Sequence, residues 1–365
     1  MTERLILVAG TSNILVLDEE LETKAVLQTE GEILSYTVHG LRRSLVVVFT
    51  NKAIEIWDPI AGRKLRSGLL PVVTRVDYSV EHEEEEEGED GEPEETEEKE
   101  EIPLEDEDDL EEPDDLGGDD AQEDERVLTE TLVRRPAAFT KAVSLLSYVF
   151  ALEEEEHAVY VYDVATLKKF RLPFPAWSLA VATGGIIVGT LSDVSFYSVS
   201  GQPVPSIVRR FTTEIGPTVL SATETEDGYA VHTVDELIIL SEEGEVVSRA
   251  AETGLQKIVH IRETGETLLL GSGFRVLGEE EWHYRQTRGV VLDVAKISAG
   301  YLLLDGPEQS VIGSSLVLVG EDKEEVLSLS RIDNEARMLS SFEVREDPFR
   351  GLLEERLIEL VYRYV

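Results

Sequence analysis

A short strand-like run, a polar turn and a second strand-like run recur seven times along this chain. An internal repeat of that kind constrains the fold more than any single motif. The clearest copy is Ala53-Ile54-Glu55-Ile56-Trp57-Asp58, turning through Pro59 to Gly62 into Arg63-Lys64-Leu65-Arg66. Close copies are Ala158 to Asp163 turning into Leu167 to Phe170, and Asn13 to Asp18 turning into Lys24 to Leu27. Four more end at Ser198, Ser241, Gly278 and Gly320. With the acidic stretch 81–125 set aside, the anchors Asp18, Asp58, Asp163, Ser198, Ser241, Gly278 and Gly320 recur about every 43 residues, the length of a four-stranded propeller blade. Two further strand-like runs precede the copies, as Ile33 to Val38 and Ser44 to Phe49 do in the second. One such sheet cannot bury its apolar faces alone. Radial stacking covers the faces, and closing the ring removes most free edges.

The block Ile54-Glu55-Ile56-Trp57-Asp58 through Gly62-Arg63-Lys64 resembles WD40-like propellers. The resemblance extends over nearly the whole chain as a repeat length and implies an all-β seven-bladed β-propeller. The chain has one Trp-Asp dipeptide, and His39-Gly40 reverses that family's Gly-His order, so the family's buried Asp/His/Ser/Trp network is not carried over. In the first repeat Leu5 to Ala9 reads as the second strand. The spare segment 336–344 is then expected to supply the missing strand and close a propeller spanning 1–346.

Charge is distributed unevenly. The chain has 76 acidic and 33 basic residues, a net of -43, and 29 of the acids lie between Glu81 and Glu125 beside a single lysine, Lys99. That segment has too few apolar residues to offset its ordering entropy, and like charges extend it, so it reads as a disordered insertion. Its flanks, Val72 to Val80 and Arg126 to Arg135, read as a long hairpin, or alternatively as part of an eighth blade. A polyanion repels nucleic acid and anionic membranes and attracts basic proteins. The interaction candidates are Glu83, Glu84, Glu85, Glu86, Glu87, Asp106, Asp108, Asp109, Asp114 and Asp115. Their spacing lacks the glycine of a calcium loop. Solubility alone is the competing account of the segment.

There are no cysteines, which excludes disulfides, thiolate metal sites and Cys nucleophiles. His39, His82, His157, His232, His260 and His283 form no close ligand pair; His82 and His157 read as solvated, and His232 and His260 as structural. No phosphate-binding glycine loop or nucleophile elbow occurs, and neither a cofactor nor a metal is expected. The apolar runs are strand-sized and the start of the chain is too weakly apolar for a signal peptide, so a cytoplasmic protein is expected. Two methionines and abundant Glu, Val and Arg fit a thermophile's composition. After Asp347 and Pro348, apolar residues at helical spacing predict a short C-terminal amphipathic helix over 347–365, with Leu357 and Val361 as docking candidates.

The sequence therefore points to a non-enzymatic protein-interaction scaffold that binds or shields a basic protein of ribosomal or chromatin type through the acidic segment. Two alternatives stand beside it. One is a ligand-binding or hydrolytic propeller with a polar channel mouth where carboxylates or histidines converge. The other is a structural subunit of a larger assembly.

Overall fold

The structure is a computed structural model that describes residues 4–40, 44–80, 128–201, 205–262, 264–285, 289–306, 315–320, 324–327 and 336–344. Among these, thirty strands form seven four-stranded antiparallel sheets and one two-stranded sheet. The chain is a seven-bladed β-propeller. Blade 1 contains β1 (Arg4–Ala9), β2 (Asn13–Leu17) and β3 (Thr23–Gln28). Blade 2 is β4 (Ile33–His39), β5 (Leu45–Thr50), β6 (Ala53–Asp58) and β7 (Arg63–Leu69). Next come β8 (Val72–Val80) and β9 (Leu128–Pro136), which pair with each other. Blade 3 is β10 (Phe139–Leu145), β11 (Tyr148–Glu153), β12 (Ala158–Asp163) and β13 (Lys169–Pro175). Blade 4 is β14 (Ser178–Ala182), β15 (Gly185–Gly189), β16 (Asp193–Ser200) and β17 (Ser206–Glu214). Blade 5 is β18 (Ser221–Thr225), β19 (Gly228–His232), β20 (Glu236–Leu240) and β21 (Val246–Ala251). Blade 6 is β22 (Lys257–Ile261), β23 (Glu266–Leu270), β24 (Gly273–Val276) and β25 (Tyr284–Arg285). Blade 7 is β26 (Val290–Ile297), β27 (Gly300–Gly306), β28 (Ser315–Val319) and β29 (Glu324–Leu327).

The last strand, β30 (Met338–Glu343), belongs to blade 1. It pairs antiparallel with β1 from Arg4↔Glu343 to Ala9↔Met338, giving the sheet order β3-β2-β1-β30. The first and last described strands thus share one sheet, and β30 takes the inner position that β4 takes in blade 2. Tyr36 Oη lies 2.8 Å from Ser340 Oγ and joins blade 2 to this closing strand.

The continuous apolar runs have a direct explanation. Alternate residues of a strand point to opposite faces. In β1, Leu5, Leu7 and Ala9 pack toward blade 2 with Val46, Val48 and Trp57. Ile6 and Val8 pack toward blade 7 with Leu302, Leu304 and Leu316. A strand buried on both faces must be apolar at every position, as parallel-sheet strands are. Among the described residues each of the seven junctions between blades has its own apolar cluster. The junction of blades 2 and 3 buries four aromatic rings. Phe49 and Phe139 lie 5.0 Å apart, and Tyr160 and Tyr162 meet Phe139 edge-on. There the chain leaves the propeller at Val73 and returns at Arg135, and the two blades are held by this packing together with Ala137 N–H donating to Pro71 O at 2.9 Å and Ser35 Oγ donating to Phe139 O at 2.7 Å.

The anchor residues terminate strands. Asp58 Oδ1 accepts the backbone N–H groups of Ile60 and Ala61, and Asp163 accepts that of Thr166 at 2.7 Å. Asp18 accepts Glu22 N–H at 2.7 Å. These carboxylates hold the turn into the outermost strand, which is why Asp recurs there. Trp57 does not enter a Trp-Asp network between repeats. Its Nε1–H donates to Glu55 Oε2 at 3.0 Å within the same strand.

The two-stranded sheet fits the hairpin reading of the flanks and not an eighth blade. Thr74 to Val80 and Leu128 to Arg134 belong to a unit of their own. The acidic candidates of 81–125 and the C-terminal segment 347–365 lie outside the described residues. Because β30 buries Leu339 and Phe342 and covers the inner edge of β1, its removal costs at least two buried side chains of about 2–3 kcal/mol each. That is a large part of a typical stability of about 5–15 kcal/mol. A chain truncated after residue 335 should therefore lose its cooperative thermal transition or melt far lower, and an unchanged melting temperature by calorimetry would contradict this closure.

Candidate functional site: the channel ring and one face

In an antiparallel four-stranded meander, the turn between the second and third strands and the connection to the next blade lie at the same end. They make one face of the propeller. The register places one inner-strand residue of every blade at the same level just below that face. Each lies opposite the second-strand residue that precedes the turn. The pairs are Met338↔Ala9, Ser35↔Phe49, Lys141↔Leu152, Ser178↔Gly189, Ser221↔His232, Lys257↔Leu270 and Asp293↔Leu304. Three of these inner strands carry a bulge immediately before the ring residue, between Ile33 and Ser35, Phe139 and Lys141, and Val291 and Asp293. A bulge re-aims the next side chain. It lets Lys141 and Asp293 leave strands whose neighbours Phe139, Ala142, Val291 and Val294 are buried. At Ser178 the opposite residue must be glycine, because a Cβ on Gly189 would stand 2.2 Å from Ser178 Oγ and 2.5 Å from Val219 Cγ1.

Charge converges on this ring. Lys257 Nζ donates to Asp293 Oδ1 at 2.8 Å and so links blades 6 and 7. Val294 N–H donates to the same oxygen at 3.1 Å, and Leu339 N–H donates to Asp293 Oδ2 at 3.2 Å, tying in blade 1. Asp293 is therefore satisfied on both oxygens. Lys141 comes from blade 3, on the other side of the ring. It makes no hydrogen bond or ion pair with any described residue, yet it senses both Lys257 and Asp293. Side chains from blades 3, 6 and 7 meet electrostatically only across the central channel. Lys141 is solvent-exposed. Partial desolvation by the surrounding protein, with repulsion from Lys257 and against attraction to Asp293, pushes its ammonium down to about 8.

Two steps further along the same strands stand Thr37, Val143, Ala180, Thr223, Val259, Ala295 and Ser340, all small or β-branched. Between these levels Tyr36 Oη bonds Ser340, and burial raises its phenol pKa. Deeper still, His39 Nδ1 lies 2.8 Å from Ser144 Oγ, and burial pushes the imidazole down to about 4.

The remaining histidines have structural surroundings. His232 is fully buried, neither ring nitrogen has a hydrogen-bond partner, and burial lowers its pKa. His260 Nδ1 meets Thr267 Oγ1 at 3.0 Å. His157 departs from the solvated reading. It is half-buried and stacks on Trp177 with ring centroids 4.0 Å apart, held there by a left-handed φ of 49°. No group of three or more metal-ligating side chains occurs among the described residues.

The same face exposes apolar side chains beyond the channel. Leu191 and Val234 occupy the turns of blades 4 and 5, and Leu220 occupies the connection between them. They are 52%, 56% and 48% exposed. Val219 N–H bonds Thr190 O and Leu220 N–H bonds His232 O, which draws the three into one stretch of the face. Leu69 and Val72 are exposed where the chain leaves blade 2.

The interaction candidates Glu83 to Glu87, Asp106, Asp108, Asp109, Asp114, Asp115, Leu357 and Val361 lie outside the described residues. Sequence reasoning missed Lys141, Lys257 and Asp293. The available signal was a charge at the start of an otherwise apolar inner strand, as in Phe139-Thr140-Lys141-Ala142-Val143 and Val291-Leu292-Asp293-Val294.

Neither a protein-family model nor a curated protein matches the sequence. Solved structures do match. A functionally unknown protein from Desulfotomaculum acetoxidans is 10% identical, with a TM-score of 0.54 over 94% of this chain and 99% of that one. AztD from Citrobacter koseri is 10% identical, with a TM-score of 0.48 over 94% and 98%. A chain of the mitotic checkpoint complex is 11% identical, with a TM-score of 0.47 over 83% and 81%. At such identities what is shared is the propeller fold, which hosts many functions.

Two expectations follow from the ring. The pKa of Lys141 is lower in the fold than in the unfolded chain, so its charge opposes folding at neutral pH, and that opposition fades as pH rises from about 8 towards 10.5. After discounting for the water that reaches it, Lys141→Met should gain about 1 kcal/mol at pH 7; a lower midpoint in urea would contradict this. His39 should stay neutral in the folded protein until about pH 4. As pH falls from 6.5 through 4 the unfolded chain takes up a proton that the fold resists, so stability declines over that window by up to about 3 kcal/mol. An NMR titration of the His39 ring with a midpoint at 6 or above would rule this out.

Proposed function

We propose that the protein is a non-enzymatic interaction scaffold whose partner docks on the propeller face that carries the ring. The observation that carries this reading is the run of exposed Leu191, Leu220 and Val234 on two adjacent blades. Large apolar side chains gathered on a rigid face, beside polar turns, are the usual composition of a docking surface. The scaffold below them is rigid, since both blades share a buried apolar junction. In the finer form of the proposal, segment 81–125 recruits a basic protein and the face then holds it. The segment contains 29 acidic residues and one lysine and belongs to the connection between blades 2 and 3. Long-range attraction of this kind speeds encounter and weakens as salt rises, while the apolar contact sets residence time.

The experiment separates the two parts. The full chain, a chain lacking 81–125 and a Leu191→Glu/Leu220→Glu variant are immobilised and probed with a purified basic ribosomal-type protein at low and high salt. The proposal expects strong low-salt retention by the full chain and a loss of about tenfold or more without the segment, an electrostatic effect that salt suppresses. It expects the double variant to release the partner faster while its melting temperature is unchanged, since both sites are exposed. Equal retention by all three proteins at low salt would defeat both parts. Retention that depends on the segment but not on the face would defeat the docking surface alone.

A further inference from the structure

We propose that the outermost strands of blades 2, 3 and 4 form a basic docking band for an extended acidic peptide segment of a partner protein. Acidic residues outnumber basic ones 76 to 33 in this chain, yet on these three strands the proportion is reversed. β7 carries Arg63, Lys64 and Arg66, and β13 carries Lys169 and Arg171. β17 carries Arg209 and Arg210, and its Glu214 is the one carboxylate on the three strands. The turns that lead into β7 and β13, 59–62 and 164–168, hold no acid and add Lys168. Lys64 and Arg171 are in ion pairs, with Glu30 and Glu156. Arg63, Lys169, Arg209 and Arg210 are exposed and make no ion pair with a described carboxylate, so their charge faces solvent. A charge on an edge strand also discourages pairing between sheets. A carboxylate serves that end as well, and β29, the outermost strand of blade 7, carries Glu324 and Glu325. Edge protection therefore does not account for the sign of the charge on β7, β13 and β17.

Contacts between neighbouring blades make the three strands one continuous surface. Arg66 donates to Ala165 O in the outer turn of blade 3, and Gly68 lies against Leu167 of the same turn. Phe174 of β13 stacks on Tyr197 of blade 4 with ring centroids 4.5 Å apart. Ile207 of β17 packs into the same junction as Leu172 of β13. Exposed apolar side chains stand among the cations: Leu65, Phe170 and Val208 are 38%, 40% and 50% exposed. In β17 the ladder passes from Phe196↔Phe211 to Tyr197↔Arg209, and this bulge at Arg210 leaves Val208, Arg209 and Arg210 exposed in succession. Each of the three strands is also the outer edge of its sheet, with a row of backbone groups that can pair with an added strand. These features select the occupant. The cations attract carboxylates. The apolar side chains and the strand edge suit an extended polypeptide, whereas a nucleic acid has no peptide groups to pair with the edge. The attraction acts locally in spite of the net charge of the chain, because salt screens distant charges beyond about 8 Å. The band lies on the outer rim and depends neither on the apolar stretch at Leu191, Leu220 and Val234 nor on segment 81–125.

The test uses the full chain and a fluorescein-labelled synthetic peptide of glutamates interspersed with leucines, about nine residues long to match β17. Fluorescence anisotropy follows its binding to the wild type, to Lys169→Gln/Arg209→Gln/Arg210→Gln and to Leu191→Glu/Leu220→Glu. A single-stranded oligodeoxynucleotide of equal charge is titrated in parallel. Saturable binding of the peptide to the wild type is expected, weakened about tenfold or more in the triple variant as loss of charge-assisted contacts implies. The Leu191→Glu/Leu220→Glu protein should bind as the wild type does, and an equal loss there would put the peptide on the face and overturn the band. Absence of saturable binding overturns the proposal, as does equal binding by wild type and triple variant. Tighter binding of the oligonucleotide than of the peptide overturns the choice of partner. In case the triple variant does not fold, hydrogen exchange of residues 206–214 is followed in the wild type. It should slow when the peptide is added, and unchanged rates overturn the proposal equally.

Discussion

The pairing of β30 with β1 brings Arg4 opposite Glu343 and makes one sheet from the two ends of the described chain. Everything else in the propeller depends on this contact. A blade presents two apolar faces and can cover them only with neighbours, so an open row of blades would leave two faces bare. Closing the ring within a blade, and not between two blades, means that the closure has backbone hydrogen bonds as well as packing. Leu339 and Phe342 then fill opposite junctions, toward blade 7 and blade 2 respectively. The same closure delivers Leu339 N–H to Asp293 and Ser340 to Tyr36, so the channel ring exists only in the closed state.

Within that frame the channel ring runs against the tendency of the rest of the molecule. Glu55, fully buried, is met by Trp57 Nε1, Glu30 N–H and Lys64. Lys141, exposed and charged, has no such contact among the described residues.

Much of the architecture was legible because repetition averages out local ambiguity. A lone strand such as Ser315–Val319 is an unremarkable apolar run, but seven of them at one spacing indicate a ring. The Asp anchors were legible for a chemical reason, since a short carboxylate at a turn caps backbone N–H groups whatever lies beyond it. Blade 6 was harder to read. Its outermost strand is only Tyr284–Arg285, because the chain from Gly278 to His283 takes a longer path before pairing. His157 was misread because its neighbours in sequence are glutamates, whereas its neighbour in space is Trp177, at the start of the next blade.

The sequence by itself determined the number of blades, their turns and the segregation of charge into 81–125, because these depend on spacing and composition along the chain. The tertiary structure decided which residues meet across the channel. Lys141 lies more than a hundred positions before Lys257, Lys257 lies 36 positions before Asp293, and each looks like an isolated charge on an apolar strand. Only the closed ring, with bulges that turn two of them inward, makes them neighbours, and no pattern local to one repeat encodes an encounter between three.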